Sequence, residues 1–199
     1  MTTNQTLSCL ADGSIPHTPE QLLALLDQLG VTHTTITHSP MNTVKQSKEL
    51  RASSPHGGYT KNLFLRAKKG SMWLVTCSED RVLDLRSLAV GLRAGHLSFG
   101  SPERLMKYLG VLPGAVSPLA LINDTGRAVS FVIEEQLFKR RIIHLHPLDN
   151  RRTTTIETQG LLQFTQNTGH SPLGLAFHGP EVVITGKVVV ASELNAAEI

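Results

Sequence analysis

Gly57 and Gly58, followed at once by Tyr59-Thr60-Lys61-Asn62-Leu63-Phe64-Leu65, constrain this chain more than any other stretch. Two residues without a Cβ let backbone or ligand come close. Leu63, Phe64 and Leu65 make an uninterrupted apolar run, the pattern of a strand buried on both faces. Lys61 stands at the mouth of that strand. An unpaired buried charge is costly, so the ammonium needs a partner: an anion, a sugar hydroxyl, or simply water at a solvated strand end.

Around this strand the sequence alternates helix and strand signals. Thr18 reads as an N-cap, Pro19 as the first helical residue and Gln21 as the return half of a capping box. Leu22, Leu25, Leu26 and Leu29 then recur at helical spacing, and Gly30 ends the helix. Residues 31–38 are threonine-rich and read as a strand, and Thr43 is set to cap a second helix through Leu50. Strands are expected over 61–66 and 72–77, joined by the polar turn Ala67-Lys68-Lys69-Gly70. Asp84 and Ser101 cap two further helices, the second ending at Gly110. Residues 119–122 and 128–133 read as strands of a hairpin turning at Asn123-Asp124-Thr125-Gly126. Strands over 142–146 and 153–156 follow, then a helix over 160–168. Strands linked partly by short turns and partly by helices imply an α+β fold, a mixed and largely antiparallel sheet flanked by helices.

A chain of 199 residues fits one domain with a substantial core. Its net charge of +3 is compatible with a polyanionic partner without requiring one. Cys9 and Cys77 form no ligand pattern and suit a reducing compartment. No apolar run approaches the roughly 20 residues of a membrane span, and the N-terminus lacks a signal-peptide layout. These features make the cytoplasm the expected location.

Several residues could carry chemistry. A glycine such as Gly114, after Pro113, can turn its amide toward a ligand, with Ser117-Pro118 fixing the loop's exit; an ordinary turn would look the same. His144 and His146, two apart on a strand, face one side. Zinc would need three or four ligands, and no Cys or acidic partner stands at matching spacing; no metal or cofactor is expected. There is no Gly-x-Ser-x-Gly elbow, Walker loop, CxxC pair or dinucleotide fingerprint.

The ordered series GGYTKNLFL, LSFGSPERLMKYLGVLPGAVSPLALIND and HLHP resembles the YbaK/ProX family of aminoacyl-tRNA editing domains, most closely its free-standing prolyl-tRNA editing branch. The resemblance spans residues 38–173. It implies an editing domain over 1–173 and leaves 174–199 as an extension: an added edge strand, an oligomer contact or an appendage. It further implies a trans-editing hydrolase that deacylates mischarged Ala-tRNA(Pro). In that scheme Lys61 contacts the terminal adenosine and the Gly114 loop presents amides to the reacting ester. Asn62, Thr43, Val44, Ser117, Pro118 and His146 would line the substrate site, with His146 matching the family's histidine-proline motif and His144 packing or lying at the surface. Hydrolysis would rely on the substrate's ribose hydroxyl, an ordered water and backbone groups, with pocket size selecting alanine over proline.

The chain departs from the family at Asn42, where relatives usually carry an aromatic residue, and at Leu119 and Ala120, where many have phenylalanine and glycine. Those changes bear on amino-acid preference. The alternative reading is a non-catalytic RNA- or aminoacyl-tRNA-binding module with the same fold. The expected partner is the acceptor end of tRNA(Pro). Whether prolyl-tRNA synthetase is also a partner, and the oligomeric state, are left open.

Overall fold

A computed structural model describes residues 9–39, 57–179 and 181–188. Helix α1 (Pro19–Gln28) starts where the capping signals put it: the Thr18 hydroxyl accepts from the Gln21 amide, and the Gln21 side chain accepts from the Thr18 amide. Helices α2 (Leu85–Gly91) and α3 (Pro102–Leu109) are capped from one side, the Asp84 carboxylate accepting from the Ser87 amide and the Ser101 hydroxyl from the Arg104 amide. Helix α4 (Thr158–Asn167) follows the predicted closing segment. The helix expected over 43–50 lies outside the described residues.

The strands are β1 (His33–Thr37), β2 (Gly58–Ala67), β3 (Met72–Ser78), β4 (Leu97–Phe99), β5 (Val129–Glu134), β6 (Ile142–Leu145), β7 (Arg152–Glu157), β8 (Leu173–His178) and β9 (Glu181–Lys187). They form one sheet in the order β1-β7-β6-β2-β3-β5-β8-β9, with β4 also pairing with β2. The β6–β2, β3–β5 and β5–β8 pairings are parallel, and the other five are antiparallel. The fold is α+β with a mixed, mainly antiparallel sheet, as the sequence implied.

Side-chain alternation splits β2 between two cores. Phe64 joins Leu74, Phe131 and Ile143 on the inner face, under Leu22 and Leu26 of α1, Leu105 of α3 and Phe164 of α4. Leu65 joins Val75, Val132, Leu175 and Val182 of β9 on the outer face, under Leu88 and Ala89 of α2. The run Leu63–Leu65 is apolar throughout because both sides of it are covered.

Two expectations fail. Residues 119–122 are not a strand, and no hairpin turns at 123–126. Pro118–Asn123 is a fully buried 3₁₀ helix, with the Ser117 hydroxyl accepting from the Leu119 amide. Periodicity cannot separate a short buried strand from a buried helical turn, and here Pro at the first position decides. The Asp124 carboxylate then accepts from the amides of Ala128 and Val129 at 3.0 and 2.8 Å, turning the chain into β5. The second failure is β8. The segment left as an extension from 174 begins inside this strand, and the chain turns from β8 to β9 at Gly179 with φ 62°. Residues 173–178 form an interior strand on β5, and β9 ends the sheet.

Candidate active site

Lys61 lies on the outer face of β2, opposite Cys77 of β3. Its ammonium donates to the backbone carbonyl of Arg81. The Arg81 guanidinium in turn donates to the Glu134 carboxylate, through Nε at 3.0 Å and through Nη2. The Ser78 amide donates to the other Glu134 oxygen at 2.7 Å. Glu134 is fully buried, and Arg81 also stacks over the Phe177 ring of β8 at 4.4 Å. The cation that stands alone in the sequence is thus held by a loop that a buried ion pair clamps in place. Burial pushes the neighbouring Cys77 thiol up to about 12, against a smaller downward pull from Lys61. Cys77 is therefore a protonated thiol, unsuited to nucleophilic attack.

His146 stands just past β6, next to β2 in the sheet. The parallel register pairs Gly58 with Ile143 and Tyr59 with His144. The pairing ends there: Lys61 stands two residues further along β2, on the face that bears Tyr59, and His146 lies one residue past the end of β6. His144 is buried, stacks on Tyr59 with centroids 4.4 Å apart, and lies 2.9 Å from the Thr155 hydroxyl through Nδ1. Gly57 is required beside it: its φ is 142°, and a Cβ there would sit 2.3 Å from His144 Nε2.

Nδ1 of His146 lies 2.9 Å from the Arg152 carbonyl. A carbonyl only accepts, so Nδ1 carries the hydrogen and Nε2 of the neutral ring offers a lone pair. Burial lowers the pKa of His146; the Arg152 carbonyl opposes this, and nearby His38 adds to it. The ring is neutral at physiological pH.

The Gly114 loop adopts φ 92° at Gly114, a conformation that disfavours any side chain. A Cβ at Gly114 would come 3.2 Å from Asn150 Nδ2, so the loop abuts the turn that leads from His146 to β7. The Ala115 amide closes the turn onto Leu112 at 3.0 Å, whereas the amides of Gly114 and Val116 donate to no acceptor among the described residues. Ser117 and Pro118 are buried in the loop's exit, where Ser117 caps the 3₁₀ helix.

The remaining sequence candidates separate. Asn62 turns to the inner face, where its Oδ1 accepts from the Thr76 hydroxyl at 2.7 Å, so adjacent Lys61 and Asn62 serve opposite sides of the sheet. Thr43 and Val44 lie outside the described residues. Sequence reasoning missed Arg81, Glu134 and Phe177. An acidic residue ending an apolar strand, as Glu134 does after Val129–Ile133, is the one signal that could have raised it. Among the described residues no group of three or more His, Cys, Asp or Glu is arranged to hold a metal.

Comparison with known proteins gives one consistent result. Residues 38–164 match the model of the aminoacyl-tRNA editing domain. The chain is 33% identical over 153 residues to the prolyl-tRNA editing protein ProX of Acetoanaerobium sticklandii, covering 76% of this chain and 93% of that one. It is 36% identical over 160 residues to prolyl-tRNA synthetase associated domain-containing protein 1 of Danio rerio, covering 79% and 86%. A crystal structure of a candidate trans-editing enzyme for prolyl tRNA synthetase superposes with TM-score 0.61 at 20% identity, covering 83% of this chain and all of that one, and so shares the fold.

Proposed function

Because this chain belongs to the aminoacyl-tRNA editing domain family, we propose that it hydrolyses the ester joining a wrongly attached amino acid to tRNA(Pro), with alanine the residue removed. One observation carries the reading. Lys61 on β2 and a neutral His146 just past β6 come from two paired strands, and the turn after His146 abuts a glycine loop whose Gly114 and Val116 amides donate to no acceptor among the described residues. That set suits an acyl ester of a polyanion: a cation for the nucleotide, a lone pair for a hydroxyl or water, and amides for the developing oxyanion.

In the mechanism we infer, Lys61 engages the ribose or phosphate of the terminal adenosine as a compact, flexible cation. Water adds to the ester carbonyl, aided by the ribose hydroxyl beside the ester, and the Gly114 and Val116 amides take up the charge on the carbonyl oxygen. The bond to the ribose oxygen then breaks, that oxygen gains the proton, and alanine leaves free tRNA behind. No side chain forms an acyl intermediate; the buried, protonated Cys77 is unsuited to it. His146 borders the amino-acid pocket. A pocket that excludes proline by size supplies the selectivity, since one methylene is worth only about 1–3 kcal/mol to a synthetase selecting by fit. On this reading the substrate arises from prolyl-tRNA synthetase, beside which the protein works in the cytoplasm. Among the described residues no helix is long and apolar enough to cross a membrane.

The test is a panel of tRNA(Pro) charged with alanine, serine, cysteine or proline, followed as ester half-life with purified protein. Alanine should be released fastest and proline spared. Half-lives unchanged across the panel would overturn the proposal.

A further inference from the structure

We propose that Lys139 and Arg140, continued by Arg141, form a rail for the phosphates of the tRNA acceptor strand, an inference that rests on the editing reading above. The three cations line a cleft whose floor includes Thr34, Gly57 and Thr155. That floor belongs to the outer face: Thr34 pairs with Thr155, Thr155 with His144, and His144 with Tyr59. The cleft therefore opens on the face that bears Lys61.

Among the described residues the charge there is only partly neutralised. Arg141 meets Glu157 at 3.3 Å, an exposed pair that water screens. Lys139 and Arg140 are exposed and meet no carboxylate among the described residues. Their backbone is nevertheless fixed. The Arg140 amide donates to the Leu137 carbonyl at 3.0 Å, the Thr158 hydroxyl to the Arg140 carbonyl at 2.7 Å, and the Thr158 amide to the Arg141 carbonyl at 2.9 Å. Three cations on a rigid rim, with open side chains, suit a polyanion of repeated charge better than one small phosphate, which would need a closed cradle.

The distance suits the same partner. Gly57, on the cleft floor, stands four residues before Lys61 and so on the same face, about 13 Å away at roughly 3.3 Å per residue. A strand whose terminal nucleotide sits at Lys61 would thus bring preceding phosphates to the rim.

The experiment uses K139A/R140A, which leaves Lys61, His146, the Gly114 loop and the Arg141–Glu157 pair intact. Deacylation of Ala-tRNA(Pro) is measured across a salt series, in parallel with alanyl-adenosine, which lacks the acceptor-strand phosphates. The rail predicts a KM for charged tRNA raised about tenfold with kcat unchanged. It also predicts a slope of log KM against log salt shallower by about 1.4, the value for two single-strand phosphate contacts, and no change on alanyl-adenosine. Unchanged KM and slope on tRNA would overturn it, as would an equal loss on alanyl-adenosine. Loss of prolyl-tRNA synthetase binding with tRNA KM retained would also overturn it, in favour of a protein partner. K139Q/R140Q should reproduce the effect if the alanine variant folds poorly. Should the wild type deacylate nothing, the editing reading fails by itself. The rail is then read from binding of an uncharged acceptor-stem minihelix, which the wild type should bind salt-dependently and the double variant about tenfold more weakly; equal binding overturns it.

Discussion

Replacing Glu134 with Gln probes the clamp behind Lys61 at its most buried point. The carboxylate is fully buried and accepts from the Ser78 amide and twice from Arg81. A glutamine keeps one oxygen and turns an NH2 toward a donor on the other side. One buried donor left unsatisfied costs about 1–3 kcal/mol. The lost ion pair adds roughly 1 kcal/mol, a figure kept small because the Arg81 side chain is 33% exposed and water screens it. The sum is about 2–4 kcal/mol, or a fall in Tm of roughly 5–15 °C at this chain length. Urea unfolding can be followed through Trp73, the only tryptophan, which packs on the outer-face core. Asp80→Asn, an exposed change in the same loop, should stay within about 0.5 kcal/mol of wild type. At temperatures where E134Q is still folded, kcat/KM on Ala-tRNA(Pro) should fall about tenfold, because the Arg81 carbonyl no longer holds the Lys61 ammonium in one position. An E134Q protein as stable as D80N would refute the ion-pair argument. A destabilised protein with full activity would refute the link to Lys61.

Three further outcomes follow. Lys61→Ala should lower single-turnover deacylation at least about tenfold, equivalent to roughly 1.4 kcal/mol of transition-state stabilisation, with circular dichroism unchanged; near-wild-type rates would remove Lys61 from the site. Burial holds the His146 pKa below the ordinary histidine value, so the neutral ring persists as pH falls past about 6.5. The acid limb of kcat/KM should then lie below that value. The same shift makes the unfolded chain bind the extra proton first, so stability from this group falls as pH drops below about 6.5; an acid limb above 6.5, or one unmoved in His146→Gln, would contradict the assignment. With Cys9 replaced by Ser, alkylation of Cys77 should require unfolding, since the thiol is fully buried and its pKa stands near 12; mass spectrometry showing rapid labelling of the folded protein would refute this.

What could be read from the sequence was local. The Thr18–Gln21 box and the caps at Asp84 and Ser101 depend on residues three apart, and each appears where read. The 3₁₀ helix at 118–123 was misread because an apolar run that short has no period to measure, although Ser117-Pro118 carries a legible cap. β8 was missed because it pairs in parallel with β5, some forty residues earlier, and Gly174 interrupts its pattern. The site divides in the same way. Lys61, Gly114 and His146 stand inside motifs, but the strands that lead to Lys61 and His146 are brought together by a parallel pairing of segments over eighty residues apart. The atom that holds Lys61 is a backbone carbonyl, which no residue type announces. Glu134 reads as a strand end until its partners are seen.

The outer face of the sheet is divided in a way that ties the last strands to the reaction. Its apolar part is covered by α2, and its polar part carries Tyr59, His144 and the basic cleft. The clamp on Lys61 lies between these parts, and Phe177 covers it from β8, outside the matched span of 38–164. The clamp on Lys61 therefore leans on a residue outside the span that the family model matches. Phe177→Ala removes a cation–π contact worth about 0.5–1 kcal/mol at a half-exposed site, along with the ring's shielding of the Arg81–Glu134 pair. If the clamp is one unit, this variant should move kcat/KM in the same direction as E134Q by a smaller factor, about two- to fivefold. The double variant should lose less than the product of the single losses, because partners in one network are not additive. Full multiplicativity of the two effects would mean that Phe177 packs on the clamp without taking part in it, and that β8 serves the fold alone.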